Sequence, residues 1–161
     1  MASKHAIMIV KNMRGEYLQY YENSWNGYLF LNCKCENNKD IAKISDTVLE
    51  KLGIKPLKID YLFTKIHSKY SVKHEKMREY EHYFYLVDID TKTLEVQKEF
   101  VINNTKFKWL SMEELENDPE IIQINGDIIE FLKEWFTKYK QIRKERLYVW
   151  SSNWRFSRKY L

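Results

Sequence analysis

Apolar residues recur along the chain with two periods, one that suits strands and one that suits helices. Ala6 to Val10 is a continuous apolar run, Lys11 to Glu16 is polar, and Tyr17 to Tyr21 is apolar again. This pattern predicts two antiparallel strands joined by a turn. Gly15 supplies the positive φ that such a turn often needs. Tyr28 to Cys35, approached through Trp25-Asn26-Gly27, is a third strand. From Asp40 the period lengthens: Ile41, Ile44, Val48, Leu49 and Leu52 form the stripe of an amphipathic helix that Gly53 ends. Leu57 to Ile66 and Tyr83 to Ile89 are strand-like, and the polar stretch between them, Ser68 to Glu81, reads as a long mobile loop.

Further on, Asp90 to Thr93 is a turn, and Leu94 to Ile102 and Lys106 to Leu110 are strands divided by Asn103-Asn104. Ser111-Met112-Glu113-Glu114 has the spacing of a capping box and starts a short helix. Ile128, Leu132, Trp135, Phe136 and Tyr139 share one face of a longer helix from about Asp127 to Ile142. Tyr148 to Trp150 followed by Ser151-Ser152-Asn153 reads as a strand and turn. Strands with one helix in the middle and one near the end predict an α+β fold, and 161 residues suit a single domain, 1–161.

Composition narrows the class. With 44% hydrophobic and 16% aromatic residues the chain is far from the signature of disorder. No apolar run reaches the roughly 18 residues that cross a bilayer, and Met1 to His5 lacks a secretory apolar stretch, so the expectation is a cytoplasmic protein with no membrane contact. Cys33 and Cys35 alternate along a strand and read as reduced thiols. His5, His67, His74 and His82 show no zinc-ligand spacing around them.

Charge is unevenly spread. Residues 138–161 carry eight Lys and Arg against Glu145 alone, so this segment is +7 while the chain as a whole is +4. Interleaved with aromatic residues, Arg143, Arg146, Trp150, Trp154 and Arg155 have the composition of a nucleic-acid contact. The reading preferred here is that this basic aromatic extension packs on the domain or forms a homodimer interface. Tyr61, Phe63, Tyr83 and Tyr85 alternate along strands, as either core or a stacking pocket would.

The order of elements, together with Val48-Leu49-Glu50-Lys51-Leu52-Gly53-Ile54 and Trp109-Leu110-Ser111-Met112-Glu113-Glu114-Leu115, resembles a Nudix domain over most of residues 6–136. The resemblance implies an α/β/α sandwich with a mixed sheet, one central helix after the third strand and a long C-terminal helix. It also implies diphosphate hydrolysis with Mg²⁺ held on a carboxylate cluster. The Nudix box is usually written Gly, five residues, Glu, seven residues, then Arg-Glu-apolar-x-Glu-Glu-x-Gly-apolar. Anchored on Gly53-Ile54, this puts Asn32 at the first Gly, Asn38 at the Glu, Asp46 at the Arg and Thr47 at the next Glu. The Glu pair falls on Glu50 and Lys51. Matching Leu31-Asn32-Cys33-Lys34-Cys35-Glu36 to the family's Pro-Gly-Gly-x-x-Glu moves the first box Glu onto Lys39.

The expectation is therefore a divergent Nudix-like domain, weak or inactive as a hydrolase, that binds a nucleotide or related phosphorylated ligand. If active, it would use Mg²⁺ on Glu50 and Asp46, which share a helix face, with Glu75, Glu79 or Glu81 adding a ligand or a base. The resemblance puts ligand contacts at Trp25, Asn26 and Tyr28, and Tyr85 and Arg78 complete the candidate set.

Overall fold

The structure is a computed structural model that describes residues 2–71 and 74–158; of 143–158 it describes the backbone alone. The elements are β1 (Ser3–Ile9), β2 (Tyr17–Glu22), β3 (Gly27–Lys34), α1 (Ile41–Leu52), β4 (Lys58–Ser71), β5 (Lys76–Asp88), β6 (Glu99–Ile102), β7 (Thr105–Leu110), α2 (Met112–Asn117) and α3 (Pro119–Arg158). Among the described residues seven strands form one sheet in the order β4-β5-β1-β3-β2-β7-β6. β1 runs parallel to β5 and antiparallel to β3, so the sheet is mixed. It is the α+β architecture expected, with the central helix after the third strand and a long helix at the C-terminal end.

Two compact units make up the chain, Met1–Ile124 and Asn125–Leu161. In the first, strand alternation sends Ala6, Met8, Leu18, Leu31, Tyr83, Tyr85, Phe107 and Trp109 into one core, where they meet Ile44, Val48 and Leu52 of α1. α1 ends as its sequence dictates: Gly53 takes φ 70° and its N–H donates to the Leu49 carbonyl at 2.8 Å. In the second unit, Trp135 and Tyr139 stack one helical turn apart with ring centroids at 5.3 Å.

Ser111 caps α2 with both halves of the capping box: its hydroxyl accepts from the Glu114 N–H at 3.1 Å, and the Glu114 carboxylate accepts from the Ser111 N–H at 3.2 Å. Ser111→Ala is expected to destabilise the protein by about 1 kcal/mol, read as a shifted urea midpoint at unchanged slope.

Three expectations are corrected. The stretch Ser68 to Glu81 is not a long loop, because β4 and β5 pair from Lys58↔Asp88 to Ser71↔Lys76. Its side chains are mostly polar and at least partly solvated, which is compatible with a ribbon held by its backbone ladder. The strand expected over Leu94 to Ile102 is confined to Glu99–Ile102, since the Leu94 and Glu95 N–H groups turn back onto the Thr91 carbonyl. The strand and turn expected at Tyr148 to Asn153 are helix, continuous with α3. The side chains of Arg143, Arg146, Trp150, Trp154 and Arg155 lie outside the described residues. No helix among the described residues is long and apolar enough to cross a membrane.

Candidate functional site

The helix α1 is the place to look for the chemistry that the sequence suggests. Its buried stripe of Ile44, Val48 and Leu52 lies in the core, and Lys51 and Thr47 flank that stripe. The Lys51 ammonium stands 4.4 Å from the centroid of the Tyr20 ring. Burial, then the charge of Glu22, pushes the Tyr20 phenol up to about 12, so it stays neutral and presents its ring to the cation. The Tyr20 oxygen accepts from Asn32 Nδ2 at 3.2 Å. Thr47 Oγ1 donates to the Lys43 carbonyl at 2.8 Å and also lies beside the Cys33 thiol. Burial raises Cys33, and burial with the neighbouring Cys33 and Asp40 pushes Cys35 up to about 11. Both thiols are therefore protonated at neutral pH and are poor nucleophiles.

Asp46 and Glu50 are exposed. The two positions beside the buried stripe thus carry a hydroxyl and an ammonium, while the carboxylates face water. A hard divalent cation needs several oxygen ligands gathered at one point. Among the described residues no group of three His, Cys, Asp or Glu side chains could hold a metal ion. Glu79 pairs with Ser68 on the ribbon, and the Glu81 carboxylate is 4.0 Å from the Lys4 ammonium. The described residues around α1 do not fit a Mg²⁺ cluster.

Tyr85, expected to touch a ligand, is instead fully buried. Its ring packs edge-on against Tyr61 at 5.6 Å, and its hydroxyl has no hydrogen-bond partner among the described residues. Burial, with Cys35 and Tyr61 nearby, pushes this phenol up to about 12. A buried hydroxyl without a partner costs free energy, so Tyr85→Phe is expected to leave stability unchanged or raise it by about 1 kcal/mol, measured by urea unfolding.

A hollow of 520 Å³ lies elsewhere on the first unit. Trp25 and Asn26 from the β2–β3 turn, Lys69, Tyr70 and Ser71 from the end of β4, and Tyr80 from β5 line it, with Glu120, Gln123 and Ile124 from the start of α3. The turn is held by its own geometry: Asn26 takes φ 52° and its side-chain oxygen accepts from the Tyr21 hydroxyl. Gly27 follows it, and a Cβ there would meet the end of the Ile124 side chain, which would have to shift. Trp25 is 53% exposed and Tyr70 58% exposed, so both offer bare aromatic surface. The Lys69 ammonium and the Arg78 guanidinium stand 5.5 Å and 5.8 Å from the centroid of Tyr80.

Of the ligand contacts expected from the sequence, Trp25 lines this hollow and Arg78 approaches its wall through Tyr80. Tyr28 lies in another hollow, of 370 Å³, with Glu99, Phe100 and Lys106. Asp46 and Glu50 line neither. Lys69, Tyr70 and Tyr80 were missed because their segment read as loop. Ile66 and Tyr70, four apart at even spacing among polar residues, were the only strand-like signal in it.

No protein-family model matches the sequence, and no curated protein matches it. Solved structures do. A NUDIX hydrolase from Nitrosomonas europaea is similar over 80% of this chain and 88% of its own, at 14% identity and a TM-score of 0.49. The Ap4A hydrolase of C. elegans is similar over 86% of this chain and 98% of its own, at 14% identity and a TM-score of 0.50. The protein has a Nudix-like fold.

Proposed function

We propose that this protein is a Nudix-like domain that binds a nucleotide or a related phosphorylated small molecule and has little or no Mg²⁺-dependent diphosphate hydrolysis. The observation that carries the second half is the Lys51 ammonium held over the Tyr20 ring, at a position where the Nudix resemblance calls for an acid. At 4 Å in a partly shielded site each unit of like charge costs about 4 kcal/mol, so a cation is repelled where the family's chemistry requires one. Thr47 beside it adds a hydroxyl in place of a carboxylate.

The binding half is supported by the Trp25 hollow, where exposed aromatic faces adjoin the Lys69 and Arg78 cations. A base can stack on Trp25 or Tyr70 while its phosphates meet the cations, and stacking contributes about 1–3 kcal/mol per base. Isothermal titration with ADP and with a dinucleoside polyphosphate tests this reading. Binding should be measurable, and Trp25→Ala should weaken it about tenfold, the equivalent of 1.4 kcal/mol. No heat from any such compound would refute it.

A further inference from the structure

Lys43, Thr47 and Lys51 follow one another at four-residue spacing, so they form one row along α1 beside its buried stripe. The Cys33 side chain of β3 meets the middle of that row at Thr47. Burial pushes its thiol up, while Lys43 and Lys51 act on it in the opposite sense from either end of the row. Lys43 is exposed, and Lys51 is half-buried with its ammonium 4.4 Å from the centroid of the Tyr20 ring.

Neither ammonium forms an ion pair among the described residues. A ring face attracts a cation without cancelling its charge. Two carboxylates approach the same cluster, Asp40 beside Cys33 and Glu22 beside Tyr20, and each is tied to its own turn. Asp40 accepts from the Glu36 N–H at 3.3 Å, and Glu22 accepts from the Ser24 N–H at 3.3 Å and from its hydroxyl at 3.0 Å. Two cations about 12 Å apart along the helix axis therefore flank a neutral hydroxyl and a protonated thiol. Lysine stems are flexible, so both ammonium groups can lean toward the middle of the row, where each offers hydrogen-bond donors.

We propose that α1 carries a metal-free diphosphate site, in which the Lys43 and Lys51 ammonium groups stand in for the divalent cation that the Nudix resemblance implies. A diphosphate brings a charged group to each ammonium, whereas a single phosphate or a carboxylate serves one of them. The site goes beyond the reading of the Trp25 hollow, whose lining includes none of these residues.

Isothermal titration of the full chain with inorganic pyrophosphate, at low salt and with EDTA present, tests the site. Heat is expected, and inorganic phosphate should bind about tenfold more weakly. Lys43→Gln with Lys51→Gln should weaken pyrophosphate about tenfold. Lys43→Gln alone changes an exposed residue, so it provides a check should the double variant fail to fold, and should weaken binding about threefold. Mg²⁺ should lower the affinity, because it neutralises the ligand; a carboxylate cluster would instead bind the ligand more tightly with Mg²⁺ present. Phosphate bound as tightly as pyrophosphate would overturn the assignment to a diphosphate. No heat in EDTA, heat that appears only with Mg²⁺, or equal affinity in the lysine variants and the starting protein would each overturn the site. So would heat lost on Arg78→Gln but kept in the lysine variants, which would move the anion to the Trp25 hollow. Pyrophosphate carries no base, so none of these outcomes decides whether a base stacks on Trp25.

Discussion

Replacing Thr47 and Lys51 together by glutamate is expected to create a divalent-cation site where the described residues gather no carboxylate cluster. The two positions are one helical turn apart beside the buried stripe of α1, and Glu50 is on the same turn, so the variant gathers three carboxylates there. Without a cation the variant should be less stable. It loses the contact between the Lys51 ammonium and the Tyr20 ring, which is worth about 0.5–2 kcal/mol, and it sets like charges side by side. Mg²⁺ should reverse that loss, because a ligand that binds only the folded state stabilises it in proportion to the logarithm of its occupancy. Calorimetric titration should show Mg²⁺ affinity at least tenfold above that of the starting protein. Equal affinity in both would mean that Thr47 and Lys51 do not exclude the metal.

Trp109→Ala is expected to be the most damaging single change to stability, at about 3–5 kcal/mol by urea unfolding. The side chain is fully buried in the core, and its Nε1 donates to the Leu94 carbonyl at 2.8 Å. Its backbone N–H donates to the Lys98 carbonyl at 2.9 Å, so this residue ties β7 to both ends of the turn before β6. Truncation leaves a cavity and strands the Leu94 carbonyl without its donor. That loss is a large share of the 5–15 kcal/mol that typically separates folded from unfolded chains. A cost below about 1 kcal/mol would mean that the core relaxes around the gap, contrary to the close packing of such interiors.

Much of this architecture could be read in the sequence, and the reason differs by element. α1 was legible because Ile44, Val48 and Leu52 repeat at helical spacing and Gly53 supplies its left-handed terminus. α2 was legible from the four residues of its capping box. The far half of the β4–β5 hairpin was not, because the side that is less exposed there carries Lys65, His67, Lys69 and Ser71, and no apolar row marks the period that burial follows. The length of α3 was missed because Tyr148, Val149 and Trp150 have strand propensity, which helical context overrides. In the candidate site, Lys51 and Thr47 could be singled out by their places in the box. Their contacts with Tyr20 and Cys33 could not, since these join residues far apart in the chain. Tyr85 was misjudged because alternation places it on a face without saying whether that face is core or cleft.

The most direct test is the rate at which the purified protein releases product from a dinucleoside polyphosphate with Mg²⁺ present, beside its binding of the same compound. Binding with no Mg²⁺-dependent turnover is the predicted result. Rapid Mg²⁺-dependent cleavage, abolished by Glu50→Gln, would contradict it and would make Glu50 and Asp46 part of a working metal site.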